Sequence, residues 1–104
     1  MHTVFSALGD ATRFAIVERL LTEGDLTAGD LTVGTGMSAP AISRHLKVLR
    51  KAGVLAQRSD AQRRIYSVDP AAVQTIHRWT MDHREFWEAS MDRLEAAVRE
   101  EKNV

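Results

Sequence analysis

The sequence predicts a single, mainly α-helical domain with a small β-hairpin, an α+β chain in the order α1-α2-α3-α4-β1-β2-α5. Three observations carry that expectation. Apolar residues recur at helical spacing in several separate stretches. Two short runs of β-formers, Val54 to Arg58 and Arg64 to Val68, flank the polar turn Ser59 to Gln62. Asp69-Pro70 then opens a last stretch, about Ala71 to Glu100, with apolar residues at helical spacing. The chain has 104 residues, enough for one domain spanning residues 1–104.

Each element has a local reason. The first helix, about His2 to Leu8, places Val4, Phe5 and Leu8 together, and Gly9 is expected to end it in a left-handed conformation. Asp10 offers an N-cap to a second helix carrying Phe14, Ile16, Val17, Leu20 and Leu21 and ending near Glu23-Gly24. Thr27 and Asp30 have capping-box spacing for a third, short helix, weakened by Gly29. The fourth is the best signposted. Ser38 is an N-cap, Pro40 falls in the first turn, Ile42, Leu46 and Leu49 share one face, and Gly53 stands at the C-terminal cap. The last helix carries Val73, Ile76, Trp79, Phe86, Trp87, Met91, Leu94 and Val98. At about 45 Å it is too long for one small body to cover, so part of its face needs a partner.

Composition excludes several classes. There is no cysteine, hence no disulfide, thiolate metal site or cysteine nucleophile. No apolar run approaches the roughly 18 residues that span a bilayer, and Met1 to Gly9 does not read as a signal peptide. A cytoplasmic chain without membrane contact is expected. No nucleophile–base pair, phosphate-cradling loop or carboxylate cluster suggests an enzyme.

The formal net charge is zero, but its distribution is uneven. Ser38 to Tyr66 holds Arg44, Lys47, Arg50, Lys51, Arg58, Arg63 and Arg64 against one acid, Asp60, a local charge of +6 that leaves −6 for the remainder. Such a split presents a positive face to a phosphate backbone. A helix entering the major groove needs one side anchored and the other small or polar near its start and basic along its length. Ile42, Leu46 and Leu49 anchor the fourth helix, while Pro40, Ser43, Arg44, Lys47 and Lys51 lie on the opposite arc and the small Ser38, Ala39 and Ala41 let its start approach closely. A solvated basic helix would show the same stripe. A short capped helix before it, a basic hairpin after it and the single acid favour a helix-turn-helix followed by a wing that binds double-stranded DNA.

Within that unit, Ser43 and Arg44 are expected to read bases. Lys47, Lys51, Arg63 and Arg64 are expected at phosphates or the minor groove, with Arg58 across the hairpin from the last two. His45 adjoins the buried Leu46 and is expected to be structural or phosphate-bonding. Arg13 suits a phosphate contact or an intradomain ion pair equally. A winged helix that docks on protein would also account for the acidic C-terminal helix, but not for the +6 stretch.

The segment SAPAISRHLKVLRKAGVL from Ser38 to Leu55 resembles the recognition helix of the ArsR/SmtB family of winged-helix repressors. ALGDATRFAIVERLL at Ala7 to Leu21 and RRIYSVDP at Arg63 to Pro70 are similar to the family elsewhere. FWEASMDRLEAAV at Phe86 to Val98 resembles a metal-independent subgroup. The resemblance implies a homodimer held by the first and last helices on a palindromic operator. Val4, Phe5, Leu8, Trp79, Phe86, Trp87, Met91, Leu94 and Val98 would form its seam. It implies no metal here: in DLTAGDL, Asp25 to Leu31, Thr27 and Gly29 stand where the family's thiolate site has cysteines. His77 with Thr80 and His83 with Phe86 do not match its second site. His77, Asp82, His83, Glu85 and Glu88 could bind zinc only in another arrangement. No cofactor is implied, and the inducer, if any, is not indicated. The turn Asp60-Ala61-Gln62 lacks the family's usual glycine, which leaves the wing geometry open.

Overall fold

The computed structural model describes residues 2–102. The elements run α1 (His2–Leu8), α2 (Ala11–Glu23), β1 (Leu26–Thr27), α3 (Ala28–Thr32), α4 (Ala39–Lys51), β2 (Leu55–Asp60), β3 (Arg63–Val68), α5 (Pro70–Asp82) and α6 (Arg84–Lys102). The fold is mostly helical with a small antiparallel sheet in the order β1-β3-β2. Two features differ from the expected element order: a two-residue strand precedes α3, and the last helix is two helices.

The caps explain most boundaries. The Asp10 carboxylate accepts from the Arg13 amide at 3.0 Å and starts α2. At α3 the Thr27 hydroxyl accepts from the Asp30 amide, and the Asp30 carboxylate accepts from the Thr27 amide, both at 3.1 Å. Ser38 starts α4 and Asp69 starts α5, each with proline in the first turn. After α4, Gly53 takes φ 79°, and the amides of Gly53 and Val54 return to the carbonyls of Arg50 and Leu49. Gly9 departs from expectation. It has no positive φ and instead closes a tight turn onto the Ser6 carbonyl at 3.2 Å.

Leu31, Ile42, Leu46, Leu49 and Val54 are the largest fully buried side chains, so the core lies where α3, α4 and the start of β2 meet. Ile16, Val17 and Leu20 close it from α2, whereas Phe14 and Leu21 of the same helix stay exposed. The hairpin is longer than its β-formers suggest. Its register runs from Leu55 opposite Val68 to Asp60 opposite Arg63, so only Ala61 and Gln62 form the turn. Ala61 supplies the left-handed residue there, at φ 57°, a conformation costing an L-residue about 1 kcal/mol more than glycine. Tyr66 is buried, and its hydroxyl accepts from the Gln57 amide at 3.2 Å.

The last helix breaks at His83. Its ring Nδ1 donates to the Trp79 carbonyl at 2.8 Å, the acceptor its own amide would use in a continuous helix. That amide turns to Thr80 at 3.3 Å instead. A side chain inserted in the ladder thus interrupts the helix without proline or glycine. Beyond the break, α6 buries none of its residues. The protomer measures 62 × 29 × 21 Å, with a radius of gyration of 18.2 Å against about 13 Å for a compact chain of this length. A body carries a projecting arm. No helix among the described residues is long and apolar enough to cross a membrane.

Candidate nucleic-acid interface

Helix α4 has two unlike sides. Successive side chains turn by about 100°, so the buried Ile42, Leu46 and Leu49 occupy one narrow wedge. Pro40, Ser43, Arg44, Lys47 and Lys51 fall in the arc opposite, and all five are exposed. Ser38 is also exposed, and its hydroxyl accepts from the Ala41 amide at 3.3 Å. The first turn therefore offers small groups, followed by three cations along the same arc.

The flanks of that arc are tied down. On one side His45 is half-buried, its Nδ1 3.9 Å from the Asp10 carboxylate that caps α2. The Arg13 amide, and then the charges of Arg13 and His45, hold the Asp10 carboxyl below the usual carboxylate range. Arg13 itself donates from Nε to the Ala7 carbonyl at 2.7 Å, an intradomain link between α1 and α2. On the other side Arg50 donates to the Gln57 side chain and joins α4 to β2. Arg50, one of the segment's seven cations, is thus held by a partner on the neighbouring strand.

The wing's arginines are arranged differently. Facing residues of an antiparallel pair share one face, and neighbours along a strand alternate. Arg64 stands opposite Ser59 and shares the face of Tyr66; Arg63 and Arg58 share the other face with Ile65. The Arg63-Arg64 pair is thus split across the ribbon. Arg63 lies 3.2 Å from Asp60, and Arg58 lies 2.7 Å from Asp25, beyond β3 on the approach to β1. Asp25 was missed as a partner, since 33 residues separate it from Arg58 and no local pattern joins them.

The seam residues fall in two groups. Phe5, Phe86, Trp87, Met91, Leu94 and Val98 are exposed apolar side chains, and Trp79 and Leu8 are half-buried. Val4, expected with them, is buried in the protomer's own core. Phe5 and Trp79 stack edge-on with centroids 5.4 Å apart, joining α1 to α5, and Trp79, Trp87 and Phe86 continue the aromatic row across the break. Of the histidines and acids weighed for zinc, His83 is held to the Trp79 carbonyl and Glu88 pairs with Arg84 at 2.9 Å. No group of three or more His, Asp or Glu side chains suited to a metal ion occurs among the described residues.

A short capped helix, a turn, a helix with a free basic face and a β-ribbon wing define the winged helix-turn-helix class of DNA-binding transcriptional regulators. Residues 10–56 match the model of the bacterial regulatory proteins of the arsR family. The chain is 40% identical over 83 residues to an HTH-type transcriptional regulator of Mycobacterium tuberculosis, covering 80% of this chain and 74% of that one. It is 37% identical over 82 residues to the transcriptional repressor SdpR of Bacillus subtilis, covering 79% and 90%. An ArsR-like transcriptional regulator from Rhodococcus sp. RHA1 superposes with a TM-score of 0.68 at 28% identity, covering 95% of this chain and 89% of that one. The chain belongs to the ArsR family of transcriptional regulators.

Proposed function

We propose that this chain is a cytoplasmic homodimeric repressor acting on a palindromic operator. The observation that carries the reading is α4's exposed arc of Ser43, Arg44, Lys47 and Lys51 directly opposite its buried anchors. Ser43 and Arg44 read base edges, Arg preferring guanine O6 and N7. Ser38 and Pro40 allow close approach of the first turn. Lys47, Lys51 and Arg64 meet phosphates, and Arg63 reaches the backbone or minor groove at the wing tip. His45 steadies α4 against α2, within reach of a phosphate.

The arm calls for a second copy of the chain. A helix in a protein draws most of its stability from packing an apolar face, and the 19-residue α6 buries none of its residues within the protomer. Its exposed Trp87, Met91, Leu94 and Val98 continue the patch formed by Phe5, Leu8, Trp79 and Phe86, so one continuous apolar surface is left for a second protomer. The whole chain acts as one domain with α1, α5 and α6 at the seam, and no metal or cofactor enters the reading. Selection of bound duplexes from random DNA, with and without chelator, tests it. The expected product is an inverted repeat with half-sites about one helical turn apart, 34–36 Å, unchanged by chelator. Enrichment of no sequence, or of a single asymmetric half-site, defeats the dimeric reading.

A further inference from the structure

We infer that Arg19 is the positioning residue of the helix-turn-helix: its guanidinium fixes where α3 ends and so the angle at which α4 is presented. The inference rests on the repressor reading for its functional consequence and on the backbone geometry for its cause.

A helix leaves its last carbonyls without internal partners, and α3 is only five residues long with no basic residue in its last turn. Arg19, on α2, supplies what α3 lacks. Its Nη1 donates towards the carbonyls of Asp30, Leu31 and Val33 at 3.2, 3.4 and 3.4 Å. The one carbonyl between them, Thr32, accepts from the amide and hydroxyl of Thr35 at 3.3 and 2.8 Å. The four carbonyls from Asp30 to Val33 thus each have a donor, three of them sharing the two N–H groups of a single nitrogen. The Nε of Arg19 donates to Glu23 at 2.8 Å, one turn further along α2, which orients the guanidinium from behind.

Packing holds the body of α3, where Leu31 is fully buried, but not the turn beyond it. A hollow of about 510 Å³ separates α2 from the turn, lined in part by Ala11, Ala15, Val33 and Met37. Between Leu31 and Met37, which packs against the core, the turn has no apolar anchor: Val33 is 73% exposed, and Gly34 and Gly36 both take positive φ. Arg19 ties the stretch that lies between those two apolar anchors. It is not in the exposed arc of α4, so its effect on DNA passes through the helix it holds.

The experiment uses the full chain with the selected operator and a scrambled duplex, comparing Arg19→Met, Arg19→Lys and Glu23→Gln. Arg19→Met is expected to lose about tenfold in operator affinity, the scale of one charge-assisted hydrogen-bond set, with scrambled-duplex affinity and salt slope unchanged. Lysine, a point charge without the planar fork, is expected to recover part of the loss. Glu23→Gln keeps an acceptor for Nε but removes its charge, and is expected to lose less operator affinity than Arg19→Met. Hydrogen exchange gives an independent readout: the Thr35 and Met37 amides should exchange faster in Arg19→Lys. An unchanged operator-to-scrambled ratio in folded Arg19→Met, or unchanged exchange in Arg19→Lys, overturns the inference. If the parent chain prefers no duplex, the repressor reading fails, and the exchange result still decides the role of Arg19.

Discussion

Helix α4 and the wing carry the same sign of charge, yet they hold it differently. Along α4, Arg44, Lys47 and Lys51 point away from the core, with no carboxylate within ion-pair distance among the described residues. On the hairpin, Arg58 and Arg63 are each paired with an aspartate of the same chain. A bare count gives the segment +6, but part of the wing's charge is already answered internally. For a chain of zero net charge this matters. The helix presents its cations directly to a duplex, while the wing must exchange one carboxylate for one phosphate at each paired arginine. Such exposed pairs are worth little, about 0–1 kcal/mol, so the exchange subtracts at most about that much from what a free arginine would contribute.

The contrast is sharpest at Arg44. Replacing it with alanine should cost roughly 1–3 kcal/mol at the operator and flatten sequence preference, measured as the operator-to-scrambled affinity ratio. The fold should survive, since the side chain is exposed. Retention of the full ratio would move base reading away from α4 and break the comparison at its strongest point. The next effect separates helix from wing by salt. Lys47→Ala should weaken binding to all duplexes alike and lower the log–log salt slope by about 0.9, one phosphate contact. Arg58→Ala should change the slope by clearly less, because Asp25 already holds that guanidinium. Equal slopes for the two variants would mean that the wing's ion pairs open fully on the duplex.

Helix and wing also differed in how far their sequences announced them. The caps at Asp10, Thr27, Ser38 and Asp69 act within three residues, so α2 to α5 could be read locally, and so could the exposed arc of α4 from its periodicity. Strand β1 was not legible. Leu26 and Thr27 are strand only through pairing with Tyr66 and Ile65, about 40 positions away. The break at His83 was hidden because it comes from a ring nitrogen capturing a carbonyl, in a stretch without proline or glycine. Val4 looked like part of a seam because helical spacing identifies an apolar face without telling which body covers it. The pairings of Arg58 with Asp25 and Arg50 with Gln57 depend on strand register, which composition does not encode.

The smallest effect is the most diagnostic of the wing. Asp25→Asn keeps the size and shape of the side chain and removes its charge, releasing Arg58 while leaving the backbone of β1 in place. Affinity for any duplex should rise, by about threefold at most given the modest worth of an exposed pair. A rise alone is ambiguous, because deleting any acid near a duplex weakens repulsion over roughly 8–10 Å at ordinary salt. The slope resolves the ambiguity. If the freed Arg58 takes up a phosphate, the log–log slope steepens by up to about 0.9, and the gain disappears in the double variant with Arg58→Ala, as a coupled pair requires. If affinity rises with no change in slope and survives the loss of Arg58, then Asp25 acts only through its field, and the wing's outer face never touches DNA.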